Sequence, residues 1–166
     1  MRQDYYISQE KEAALTFKLA EELLKQDFNA SNTVVITVSM DYSSVVGQLL
    51  RHALSYNQEI CDGFGVDVPY PDQSWDEQYL LELNIMLGLY KYKYENKKIL
   101  FVEAGVIRGS NYKFLSEKMK GKDDIFFLSL FENKSSMFKS DFVGEYFDND
   151  TQDLTFYWEK PNNHWI

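Results

Sequence analysis

Apolar residues fall along this chain in two alternating patterns, and their order predicts the architecture. Over residues 8–26, Leu15, Leu19 and Leu23 recur every fourth position with Ala20 and Leu24 beside them, while Lys and Glu hold the other face. That spacing predicts an amphipathic helix, with Ser8 at its N-cap. Val34-Val35-Ile36-Thr37-Val38 is a β-branched run that predicts a buried strand. A polar loop follows, and then Val45, Val46, Leu49, Leu50, Ala53 and Leu54 return at helical spacing.

Glycines and prolines punctuate residues 60–73, leaving room for a short strand over 66–68. Ser74-Trp75-Asp76-Glu77 reads as a capping box ahead of a helix over 75–94. That helix is apolar nearly all round, so it is buried within the fold or lies at a subunit contact, which makes it the place for a homodimer interface. Ile99 to Val102 predicts a strand, Asn111 to Lys120 a helix, and Ile125 to Phe131 another buried strand. Strands alternating with helices predict an α/β fold with a mainly parallel sheet flanked by helices. After residue 131 the pattern changes to polar loops and short apolar stretches at Phe142-Val143-Gly144 and 154–158. The expected organisation is one domain over 1–166, with 1–30 as an N-terminal helical element and about 132–166 as a separate lobe.

Composition narrows the function classes. The 166 residues carry a net charge of -9, which argues against broad nucleic-acid binding. A phosphorylated ligand would need a local positive pocket or a divalent cation. The single cysteine excludes an internal disulfide and a cysteine-based metal cluster. The sequence has neither an N-terminal apolar core of a secretion signal nor an apolar run of membrane-spanning length, so the expectation is a cytoplasmic protein with no membrane contact.

Candidate chemistry concentrates after the strand at 99–102. Glu103-Ala104-Gly105-Val106-Ile107-Arg108-Gly109-Ser110-Asn111 runs from strand end to helix start. Backbone N–H groups at Gly109, Ser110 and Asn111 would meet a phosphate there, with roughly 0.3–2 kcal/mol from the helix dipole. Arg108 could add a bidentate contact, or face outward to surface acids. Asp41, Tyr42, Ser43 and Ser44 form a second loop–helix junction on the same sheet edge, where they would face a pyrophosphate or simply cap the helix. Motifs for zinc, hydrolase, P-loop NTPase or dinucleotide chemistry are absent.

Residues 99–111 resemble the phosphoribosyl-pyrophosphate loop of the type I phosphoribosyltransferases. The segment 34–54 resembles that family's pyrophosphate-loop region. The tail, from Phe156-Tyr157-Trp158-Glu159 to Asn163-His164-Trp165-Ile166, resembles the C-terminal hood of its purine enzymes. The resemblance implies a phosphoribosyltransferase-like fold and a phosphorylated ribose or nucleotide as ligand. It implies Glu103 as the catalytic acid that holds the ribose hydroxyls or the water of a Mg²⁺ ion, and Trp165 or Phe142 as a base-stacking ring. The loop departs from the family pattern: Ala104 and Ile107 stand where acids are usual, and Arg108 and Asn111 where threonines are. Two readings follow. One is a divergent enzyme transferring phosphoribosyl between pyrophosphate and a nucleobase. The other is a non-catalytic nucleotide-binding or protein-interaction module that keeps the fold.

Overall fold

The computed structural model describes residues 3–55, 59–68 and 77–159, with the side chains of Met40, Asp41 and Tyr42 excepted. The capping-box residues Ser74, Trp75 and Asp76, and the tail beyond Glu159 with Trp165, lie outside the described residues. The elements run β1 (Gln3–Ile7), α1 (Gln9–Lys25), β2 (Thr33–Val38), α2 (Met40–Leu54), β3 (Asp62–Val66), α3 (Glu77–Lys93), β4 (Lys98–Val106), α4 (Ser110–Lys118), β5 (Ile125–Asn133), β6 (Phe142–Phe147) and β7 (Gln152–Phe156). A short 3₁₀ turn, Tyr157–Glu159, follows β7.

Five strands form one sheet in the order β3-β2-β4-β5-β6, and every neighbouring pair is parallel. Alternate side chains go to opposite faces, as the pleat requires. Val35, Leu100 and Val102 pack on α1 and α2 through Leu19, Leu23, Val46 and Leu50. Val34, Ile36 and Phe101 pack on α3 and α4 through Leu83, Leu87, Tyr112 and Leu115. Both faces are covered, which is why the centres of β2 and β4, Val34 to Ile36 and Ile99 to Val102, read as continuous apolar runs.

Two features were not expected, and a third bears on an alternative that the sequence left open. Residues 3–7 form a strand ahead of the first helix, and β1 pairs in parallel with β7 to make a separate two-stranded sheet. The N- and C-terminal parts of the chain therefore build this small lobe together, whereas residues 142–147, expected in a separate lobe, form the edge strand β6 of the main sheet. Tyr5 and Lys11 fasten that lobe to the main sheet, both meeting the carboxylate of Glu145 on β6. The third strand lies at 62–66 rather than 66–68. Its glycines reflect close approach: a Cβ on Gly63 would come within 2.8 Å of the Val35 carbonyl oxygen. Finally, α3 buries one stripe, Leu83 and Leu87, and leaves Leu81, Ile85, Leu89 and Tyr92 exposed.

Candidate functional site

The strand order reverses between β2 and β4. From β2 the chain steps outward to β3, then crosses back to β4 and continues outward through β5 and β6. A crevice opens outside the carboxyl ends of strands at such a reversal. A cavity of about 260 Å³ lies there, lined by Ser39, Ser43, Glu103, Gly105, Ile107, Leu154, Phe156 and Glu159. β4 supplies Glu103 and Gly105, the start of α2 supplies the two serines, and β7 with its 3₁₀ turn supplies the roof.

Glu103 forms the polar floor. It is buried, and the side-chain amide of Asn111 donates to its Oε1 at 3.0 Å. Burial pushes its carboxyl up to about 8, and the Asn111 hydrogen bond only partly offsets this. At neutral pH Glu103 is therefore mostly protonated, so it can donate a hydrogen bond as well as accept one. The Asn111 Oδ1 is buried and has no hydrogen-bond partner among the described residues. The phenol of Tyr112 donates to the Leu128 carbonyl, which locks the first turn of α4 onto β5.

Ser39 stands at the end of β2 in the left-handed region, with φ 58° and ψ 80°. Its N–H donates to the Val66 carbonyl at 3.0 Å, and its side chain makes no capping bond to α2. A non-glycine residue held at positive φ costs of order 1–3 kcal/mol, and such strain clusters at ligand sites. Ser43 is buried beneath it and accepts a hydrogen bond from the Ala104 N–H at 3.0 Å. That bond ties α2 to β4 behind the cavity.

The loop between β4 and α4 is held from outside. Gly109 is the N-cap of α4 at φ +77°, and a Cβ there would meet Ser136 and lie 2.9 Å from the Phe138 nitrogen. The Met137 N–H donates to the Arg108 carbonyl at 3.1 Å. Asn133 donates from Nδ2 to the Ile107 carbonyl at 3.0 Å, and its Oδ1 accepts from the N–H groups of Ser135 and Asn149. One side chain thus links the candidate phosphate loop to the turn that leads into β7.

β7 closes the roof. A Cβ on Gly105 would lie 3.2 Å from Leu154 and 3.4 Å from Phe156, so the hood strand rests directly on β4. Phe156 stacks on Trp158 with centroids 4.5 Å apart, and the Phe156 N–H donates to Glu159 Oε2 at 2.7 Å.

Of the residues expected from sequence, Glu103 and Ser43 line the cavity, and Asn111 joins them through its side chain. Gly109 and Ser110 begin α4, and neither they nor Asn111 is among the residues that line the cavity. Arg108 is exposed, and among the described residues no cationic side chain lines the cavity. Ser44 points to solvent, whereas the side chains of Asp41 and Tyr42 lie outside the described residues, as does Trp165. Phe142 is a correction: it is buried at the start of β6 and packs edge-to-face on Phe28 at 5.5 Å, so its ring belongs to the core. Ser39, Gly105, Leu154 and Glu159 were missed as lining residues; the left-handed turn at Ser39 has no sequence signal. The aromatic ring at the cavity is Phe156.

No group of three or more His, Cys, Asp or Glu side chains converges as a metal set among the described residues. Among the described residues the carboxylates lining the cavity are Glu103 and Glu159, with the hydroxyls of Ser39 and Ser43 beside them.

No family model and no curated relative matches the sequence itself. Solved structures do match in shape. A Neisseria gonorrhoeae protein with bound ppGpp aligns with a TM-score of 0.69 and 16% identity over 98% of this chain and 92% of its own. The xanthine-guanine-hypoxanthine phosphoribosyltransferase of Helicobacter pylori aligns at 0.65 and 15% identity, over 96% and 95%. A purine phosphoribosyltransferase from Pyrococcus horikoshii aligns at 0.64 and 16% identity, over 96% of both chains. The chain has the type I phosphoribosyltransferase-like fold.

Proposed function

We propose that this protein binds a phosphorylated ribose or purine nucleotide in the cavity between β4, α2 and the hood. The observation that carries the reading is the buried Glu103, which lines a cavity at the strand-order reversal and is held by Asn111 from the first turn of α4. In this reading the sugar hydroxyls meet Glu103. The 5′-phosphate takes the N–H groups of Gly109, Ser110 and Asn111, with Arg108 at its outer side. A pyrophosphate or second phosphate lies toward Ser39 and Ser43, with Asp41, Tyr42 and Ser44 around the same helix start. At about 260 Å³ the cavity is just below the usual range for ligand sites, which suits the ribose phosphate, with the base toward Phe156.

Mg²⁺ would be held through water by Glu103 and would neutralise the ligand's phosphates. Metal binding would compete with the proton on Glu103, so the ion is expected with the ligand and not before it. Phosphoribosyl transfer to a nucleobase is the second reading, favoured by the purine phosphoribosyltransferases among the structural neighbours. Ala104 and Ile107 leave Glu103 as the one acid of the loop, which favours binding over fast transfer. The exposed stripe on α3 supports self-association as a homodimer. A cytoplasmic location suits the free, buried Cys61, and no helix among the described residues is long and apolar enough to cross a membrane.

Thermal unfolding tests the reading with phosphoribosyl pyrophosphate, ribose 5-phosphate, GMP and ppGpp, each with and without Mg²⁺. A ligand at a hundred times its dissociation constant adds about 2.7 kcal/mol of stability. A shift with any of the four supports binding; turnover with a purine base would add transfer; no shift with any overturns the reading.

A further inference from the structure

Helix α3 presents an apolar seam to solvent. Leu81, Ile85, Gly88 and Tyr92 step by four, three and four residues, so they align along one side of the helix. Leu81 is 59% exposed, Ile85 54% and Tyr92 83%, with Leu89 at 61% on the flank. A Cβ on Gly88 would meet nothing within 4 Å, so the middle of the seam is open to close approach by another backbone. The opposite side of the same helix is already committed to the core through Leu83 and Leu87.

Charge along the helix selects the orientation. Acids Glu77 and Glu82 lie in its first half and Lys91 and Lys93 in its last turn. A parallel pair would set like charges side by side, whereas an antiparallel pair sets acid against base and opposes the two helix dipoles. We propose that two copies of this chain pair through α3 in an antiparallel, twofold-symmetric contact in which Leu81 of one copy meets Tyr92 of the other. This rests on the self-association reading above and gives it a geometry.

The register follows from matching the seam to itself. Pairing Leu81 with Tyr92 brings Ile85 opposite Gly88, so a large side chain meets the open position twice, once on each side of the axis. Twofold antiparallel packing puts equivalent flanks together. Glu82 and Lys93 share one flank, only about 20° apart around the helix at 100° per residue. In this register Glu82 lies two residues, about 3 Å of rise, from Lys93 of the second copy. Among the described residues Glu82 accepts a hydrogen bond from the Gln78 amide at 3.0 Å, and Lys93 lies over the Tyr94 ring and hydrogen-bonds its side chain. Both side chains are exposed, so each can exchange these contacts for the second copy.

Sedimentation velocity and cysteine cross-linking test the contact, with Cys61 buried and silent. Wild type is expected to sediment as a dimer, and Ile85→Glu as a folded monomer with its thermal transition retained, since that side chain is exposed. Glu82→Lys alone should weaken the dimer at least tenfold, and adding Lys93→Glu should restore it. Leu81→Cys should not cross-link with itself but should cross-link when mixed with Tyr92→Cys. A wild-type monomer at every concentration, or a dimer untouched by Ile85→Glu, overturns self-association through α3. A dimer sensitive to Ile85→Glu in which Leu81→Cys links to itself overturns the antiparallel register alone.

Discussion

The side-chain amide of Asn111 donates to Glu103 across 3.0 Å, from the first turn of α4 to the carboxyl end of β4. Both residues are buried, and the Glu103 carboxyl faces the cavity. The helix thus contributes twice to one place: a side-chain donor that holds the acid, and backbone donors at its start. Asn111→Leu should remove the part of the environment that favours the ionised form. The Glu103 carboxyl midpoint, followed by carbon-13 NMR, is expected to rise further above 8; a fall would contradict this account.

Glu12 on α1 offers a separate test on stability. It is buried, its Oε2 has no hydrogen-bond partner among the described residues, and burial pushes it up to about 7. The folded state therefore keeps a proton that the unfolded chain, with a carboxyl near 4.5, has already released. Stability from this group is full below pH 4.5 and declines as pH rises to 7, and Glu103 behaves alike up to about 8. Glu12→Gln should gain on the order of 1–3 kcal/mol at pH 8 and flatten the pH dependence. Urea midpoints at pH 5.5 and 8 decide it, and an unchanged slope between them would be the contrary result.

Gly105 marks where the hood touches the sheet. Gly105→Val adds branches to a Cβ position that is already 3.2 Å from Leu154. The strand β7 must move outward, at a cost of about 1–3 kcal/mol in stability. Nucleotide affinity should fall with it, because Leu154 and Phe156 form the roof. Calorimetric titration of the variant beside wild type measures both effects; equal affinity would separate the hood from the ligand.

Gly109 is required by backbone conformation as well as space. Its φ of +77° and the nearby Ser136 and Phe138 leave no room for a side chain. Gly109→Ala should destabilise the protein by about 1–3 kcal/mol and weaken phosphate-bearing ligands more than uncharged nucleosides. Thermal unfolding with GMP and with guanosine distinguishes the two. Equal losses for both would remove phosphate from this loop.

Much of this fold can be read from the chain because its central strands are buried on both faces. Val34 to Val38, Ile99 to Val102 and Ile125 to Phe131 are apolar runs broken only at Thr37 and Ser129 for that reason, and α1 and α2 carry plain amphipathic spacing. β1 escapes such a reading. Gln3-Asp4-Tyr5-Tyr6-Ile7 is mostly exposed, and its partner β7 lies at the other end of the sequence, so no local pattern announces the pairing. β3 was displaced because Gly63 and Gly65 look like turn residues, when Gly63 serves the close approach of Arg51 and β2. At the site, Glu103 and the α4 start were legible from a strand–loop–helix pattern. The roof was legible only as an aromatic tail, and Phe142 was misplaced because an aromatic in a core and an aromatic over a base carry the same letter.

The central claim is that a phosphorylated ribose sits on Glu103 and the start of α4. Amide NMR during titration with GMP, and separately with phosphoribosyl pyrophosphate and Mg²⁺, tests it most directly. The predicted result is saturable shifts at Gly105, Gly109, Ser110 and Asn111 together with Ser39, lost in Glu103→Ala. Shifts confined to the opposite sheet end, around Lys97 and Lys122, or no shifts at all, would contradict it.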